Sequence, residues 1–395
     1  MNLIHYWRRI DSTLLLTVLG LGIICLLIIA SATHANIPDY PGRYDFVMKQ
    51  GVFLVGGICI AAGTLYFDYR KLYRLVPALY IINAVMLLIV KFAGTSALGA
   101  QRWIQIGPFT LQPSEFAKLV IIMLAAKYFG NMLRQGKRIS FLRSGEHWHV
   151  FAATTVYAAL VFMQPDLGTA AIIFALMLGM YIIAGVPMTQ VAATVGGGGL
   201  LAVVATLTSP YRLARVKVWF DPWLDPREKG YQMVQSLLAI GSGGLTGTNW
   251  GHGAGKFFYL PERHTDFAFA IFCQENGFIG AIFLMLLFGL LAYAFCTITI
   301  NARDKRGFLL AGGVTFLIIG QAVANMAMVC GILPVIGVPL VFISYGGSSM
   351  FLSMVAIGLL LSVYDEEAKQ AEHEALPPQE RRETLRMTRN ERWRS

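Results

Sequence analysis

Ten runs of predominantly apolar residues dominate the sequence, each close to the ~20 residues that a helix needs to cross a bilayer. They lie near residues 12–32, 50–67, 75–93, 114–131, 149–163, 167–186, 190–208, 267–300, 307–330 and 342–364. Only 14% of the 395 residues are charged, against about 25% in a soluble domain, so a water-facing exterior cannot be covered. The expected fold is an all-α polytopic integral membrane protein of about ten transmembrane helices. The fifth run is short. The eighth is long and is broken by Gln274-Glu275-Asn276-Gly277, where a kink is expected.

The net charge of +10 would suggest nucleic acid in a soluble protein. Here the cations sit in short segments between apolar runs, the pattern of membrane topology, and no nucleic-acid partner is expected. With the N-terminus placed in the cytoplasm, twice as many Lys and Arg fall inside as outside. Both termini are therefore expected to be cytoplasmic. On this reading residues 1–364 form the membrane domain, with one long outer loop at 209–266. Residues 365–395 form a charged tail without apolar periodicity. Tyr231–Ile240 within the loop is expected to form a short interfacial helix. The five cysteines lie in apolar runs and read as small packing residues, not a disulfide framework.

Polar groups in or beside spans are costly and informative. Glu115 and Lys118 follow Gln112-Pro113-Ser114 with a spacing that puts acid and base on one helix face. They read equally as an ion pair closing the helix entrance or as the lining of a substrate pocket. Arg102, beside Trp103, is either a headgroup anchor or a fork for a diphosphate. Asp166 in Gln164-Pro165-Asp166-Leu167-Gly168 reads as a helix N-cap. Asp266 closes the long loop with Glu262, Arg263 and His264 as neighbours, a setting in which a carboxylate can be tuned as a general base. His264 reads as a turn histidine. Glu275 is a kink residue or a cavity residue. Ser344-Tyr345-Gly346-Gly347-Ser348-Ser349 is either a phosphate-binding helix start or a close-packing segment, and packing accounts for Gly196–Gly199. No Cys/His cluster has zinc spacing and no nucleotide-binding loop is present, so catalysis would draw on an activated substrate.

These strings, with Gly99-Ala100-Gln101-Arg102-Trp103-Ile104, Ala239-Ile240-Gly241-Ser242-Gly243-Gly244 and Leu260-Pro261-Glu262 before Thr265-Asp266-Phe267, resemble the SEDS family of bacterial membrane proteins, which includes RodA, FtsW and SpoVE. The resemblance implies a peptidoglycan glycosyltransferase of the bacterial cytoplasmic membrane that polymerises lipid II at the outer face with a class B penicillin-binding protein. It makes Asp266 the catalytic aspartate. It also places Arg102, Gln112, Ser114, Glu115, Lys118, Asp166, Arg215, Lys256 and Ser348 as candidates around the substrate. No cofactor is demanded, though a divalent cation (Mg or Mn) could share in stabilising the diphosphate. Gln274, Asn276, Ala268, Thr248-Asn249-Trp250 and Val341 depart from the family pattern. Gly337-Val338-Pro339-Leu340 and Gly99-Ala100-Gln101 resemble elongation members. The loop from Tyr211 through Asp221-Pro222 to Gly230-Tyr231-Gln232 resembles division and sporulation members, and the balance leans slightly to RodA. Two readings of other classes stay open: a flippase for the lipid-linked precursor, motivated by Glu115, Lys118 and Glu275, and a non-catalytic scaffold that activates the penicillin-binding protein.

Overall fold

The computed structural model describes residues 12–32, 43–66, 68–97, 100–107, 109–140, 147–164, 166–208, 210–250 and 264–375. Helices occupy all ten expected segments: α1 (Ser12–Ala32), α2 (Arg43–Tyr66), α3 (Tyr69–Ala93), α4 (Pro113–Arg134), α5 (His147–Phe162), α6 (Leu167–Ile183), α7 (Met188–Leu207), α10 (Ala268–Asn301), α11 (Lys305–Val329) and α12 (Gly347–Ala375). Between α7 and α10 lie α8 (Pro210–Phe220) and α9 (Tyr231–Gly243). Seven of these helices are long and apolar enough to cross a membrane, and α5, α6 and α7 are shorter apolar helices. The chain is a multi-pass helical membrane protein.

Local chemistry sets the helix starts. Pro113 occupies the first turn of α4, where its missing N–H costs nothing. Asp68, Asp166 and Asp304 cap α3, α6 and α11 by accepting backbone N–H groups. One stretch departs from the helical expectation. Residues Thr95–Ala97 (β1), Ala100–Ile106 (β2) and Phe109–Leu111 (β3) form a small antiparallel sheet, with Thr95 opposite Trp103 and Ile104 opposite Leu111. Gly107 turns it at positive φ.

Helix α4 lies at the centre of the bundle, packed against α3, α5, α6, α11 and α12. It, α11 and α12 are the most buried of the long helices. The long helix α10 breaks where expected, at Gly277 (φ 64°, ψ −165°). A break inside a membrane releases backbone groups that lipid cannot satisfy. Here the Gly-rich turn after α9 satisfies them. Phe278 and Ile279 donate N–H to the carbonyls of Gly244 and Leu245, and the Gln274 carbonyl accepts from Thr248 N–H. A side chain at Gly243 or Gly247 would overlap the α10 backbone, so only glycine lets the turn lie that close.

Two expectations are corrected. A Cβ at Gly196, Gly197 or Gly199 would meet nothing within 4 Å, so close packing explains only Gly198, which faces Phe174. Cys59, Cys296 and Cys330 are exposed on the protein surface, and only Cys25 and Cys273 are packed inside. The charged segment after residue 364 begins as helix: α12 continues to Ala375, with Asp365 buried and paired to Lys369 at 2.6 Å.

Candidate functional site at the hairpin end of the bundle

The bundle end that carries the β-sheet gathers most of the candidate polar residues. Asp266 lies in the turn that leads into α10. Three successive carbonyls of this turn are held by other elements. The His264 carbonyl accepts from Tyr345 N–H at 2.8 Å, the Thr265 carbonyl from the Ser344 hydroxyl at 2.6 Å, and the Asp266 carbonyl from the Asn325 amide at 2.8 Å. Asp266 is partly exposed, and a Cβ at Gly337 would come 3.5 Å from its Oδ2. Gly337 is at φ 67°, a backbone conformation that favours glycine. The His264 ring lies tilted against Phe46 and Tyr345, with centroids 5.3 and 5.8 Å away.

Asp166 caps α6, as expected, accepting from Thr169 N–H at 3.1 Å and the Thr169 hydroxyl at 2.9 Å. It also faces Arg102 on β2, whose Nη1 is 3.8 Å away. The carboxylate thus caps α6 and also forms an ion pair with the β-sheet. The pair opens on a cavity of about 220 Å³ whose wall also includes Trp219, Lys229, Gln232 and Ile336. Gly168 presses so closely on Ile336 that a Cβ would overlap its carbonyl oxygen. Segment 334–336 thus forms one wall of this cavity, and the next residue, Gly337, lies beside Asp266. Lys229 and Gln232 were missed in the sequence because nothing local marks a loop lysine as cavity-lining.

Glu115 and Lys118 are 3% and 1% exposed. Lys118 Nζ donates to Glu115 Oε1 at 2.8 Å and to Gln321 Oε1 at 2.8 Å. The ammonium is thus bonded within the core. Ser114 is buried and lies 3.2 Å from the Gln112 amide, and Gln112 N–H donates to Ser348 Oγ at 2.9 Å. The Ser348 hydroxyl in turn donates to the Thr110 carbonyl at 3.2 Å, so it ties the start of α12 to β3. Glu275 is buried beside the α10 kink and accepts from Ser31. Lys256, Glu262 and Arg263 lie outside the described residues, and Arg215 lies on α8 with its side chain outside them. Among the described residues no three His, Cys, Asp or Glu converge as metal ligands.

Fold and site define a multi-pass membrane protein with a partly exposed aspartate at the mouth of the bundle that carries the β-sheet, beside a cavity with cations in its wall. A family profile for FtsW, RodA and SpoVE, described as cell cycle protein, matches residues 11–369, and the chain belongs to that family. It is 38% identical to the probable peptidoglycan glycosyltransferase FtsW of Thioalkalivibrio sp. (strain K90mix), over 92% of this chain and 91% of that protein. It is 36% identical to stage V sporulation protein E of Bacillus subtilis (strain 168), over 89% of this chain and 94% of that protein. Among solved structures, a chain from a peptidoglycan synthase complex that coordinates polymerization and crosslinking superposes with TM-score 0.77 at 26% identity, covering 90% of this chain and 98% of that one. Thermus thermophilus RodA superposes with TM-score 0.66 at 26% identity, covering 90% of this chain and 97% of that one.

Proposed function

We propose that this chain is a peptidoglycan glycosyltransferase that polymerises lipid II at the outer face of the bacterial cytoplasmic membrane, with Asp266 as general base and a class B penicillin-binding protein as partner. The relatives named above include a probable peptidoglycan glycosyltransferase, a sporulation protein and a chain of a peptidoglycan synthase complex. The observation that carries the reading is the clamped turn at Asp266: a partly exposed aspartate on a backbone whose three successive carbonyls are held. A base must be fixed within hydrogen-bond reach of the proton it takes.

In this reading Asp266 takes the proton of the acceptor sugar hydroxyl as its oxygen attacks the anomeric carbon of the donor. The bond from that carbon to the diphosphate breaks, and the polyprenyl diphosphate leaves with the electron pair. The leaving group is already activated, which fits a chain without a nucleotide-binding motif. Arg102 and Lys229 in the cavity wall supply the charge that stabilises the departing diphosphate. Lys118, bonded to Glu115 and Gln321 in the core, supports the site from behind.

The test is glycan synthesis from purified lipid II by the complex of this chain with a penicillin-binding protein whose own active site is disabled. Wild type should make polymer and Asp266→Asn none, with the complex still intact. No polymer from wild type would move the assignment to a flippase or a scaffold.

A further inference from the structure

Segment 331–346 between α11 and α12 is non-helical, yet much of it is buried in the bundle. Its backbone groups need partners that lipid cannot supply. Two α11 residues, Gln321 and Asn325, supply them one helical turn apart. The Gln321 amide donates to the Pro339 carbonyl at 3.1 Å while its oxygen accepts from Lys118. Asn325 uses both N–H donors of its amide, one on the Val338 carbonyl at 2.6 Å and one on the Asp266 carbonyl at 2.8 Å. Asn325 is fully buried at 0% exposure, and its Oδ1 makes no hydrogen bond among the described residues. A buried amide that leaves its oxygen unsatisfied carries a desolvation penalty. Its two donors must therefore do something that an apolar side chain could not.

We infer that Asn325 is the positioning residue of this site: by holding the Val338 and Asp266 carbonyls with one planar amide, it fixes the Asp266 carboxylate relative to Gly337 and the cavity wall beside it. Gln321 extends the same device to the buried Glu115–Lys118 pair, so the pair, the 337–340 segment and the Asp266 turn form one hydrogen-bonded unit. The inference rests on Asp266 as the base. A displacement of roughly 1 Å can cost about 100-fold in rate. Asn325 touches no reacting atom in this account, so its loss should lower kcat and leave lipid II binding alone.

The experiment compares Asn325→Ala with Ser236→Ala in the full chain bound to its partner, by steady-state polymerisation and by thermal unfolding. Ser236 is a matched control. Its buried hydroxyl also donates to a backbone carbonyl of α11, that of Val329 at 2.8 Å, with no tie to Asp266. Both variants should lose some thermal stability. Asn325→Ala should lose about 100-fold in kcat with KM for lipid II within about twofold, and Ser236→Ala should keep its kcat. A kcat for Asn325→Ala equal to that of Ser236→Ala overturns the inference. Should Asn325→Ala fail to fold, Asn325→Leu fills the same space without either donor, and wild-type kcat in that variant overturns it equally. Asp266→Asn is assayed alongside. Activity in that variant would sink the base assignment, whereas an inactive Asp266→Asn beside a fully active Asn325→Ala would sink this inference alone.

Discussion

At the residue scale, the central question is what a charge does inside the bundle. Lys118 and Glu115 are both almost fully buried and bonded to each other. Removing one partner of a buried pair costs about 3–5 kcal/mol, because the other charge is left without compensation, while replacing both by apolar residues is often near neutral. Lys118→Ala should therefore melt well below wild type in detergent, and the double variant Glu115→Leu/Lys118→Leu above the single one. Equal melting of the two would mean that the carboxylate reaches water. The spacing of the pair made it visible in the sequence, since three residues is one helical turn. Its third partner, Gln321, lies 203 positions away and gave no local sign.

At the element scale, the break in α10 and the Gly-rich turn after α9 are one structure. The polar patch and Gly277 were readable as a kink because they interrupt an apolar run. What they pair with was not, because the pairing runs through backbone groups, which every sequence has. Gly277 sits at positive φ with extended ψ, a region essentially restricted to glycine, where another residue costs roughly 1–3 kcal/mol. A Cβ there would also overlap the Gly247 and Leu245 backbone. Gly277→Ala should lower the melting temperature markedly. Gly289→Ala, in the same helix with nothing within 4 Å of its Cβ, should be neutral or slightly stabilising. Similar melting of both would show that the turn does not seat against the break. The cost of Gly277→Ala should also reach activity, because α10 begins at Asp266's turn.

At the scale of the whole molecule, the distribution of Lys and Arg predicts which end of the bundle faces the cytoplasm. The β-sheet end should be outside and the α4–α5 connection inside. Two single-cysteine variants in a cysteine-free background check this. Gln105→Cys, on exposed β2, should react with a membrane-impermeant maleimide on intact cells stripped of any outer membrane. Lys137→Cys, exposed at the opposite end, should react only after the membrane is opened. The reverse pattern would place Asp266 in the cytoplasm, where the proposed polymerisation could not deliver glycan to the wall. The exposed apolar flank of α10, including Phe278, Phe283 and Leu286, faces lipid in either orientation and leaves the labelling to decide.

The amino-acid sequence by itself determined the helical segments, the kink in α10, the cap at Asp166, and the acid–base spacing of Glu115 and Lys118. Each of these depends on residues within about one helical turn, or on a bilayer that imposes the same length on every span. Only the tertiary structure decided that Asp166 meets Arg102 from the β-sheet, that Glu275 meets Ser31, and that Asn325 holds the Asp266 backbone. An Asn or Gln in an apolar run is the same letter whether it faces lipid or a carbonyl of a distant loop. Which one it faces is set by how the helices pack, and the packing places side chains dozens to hundreds of positions apart within hydrogen-bond distance.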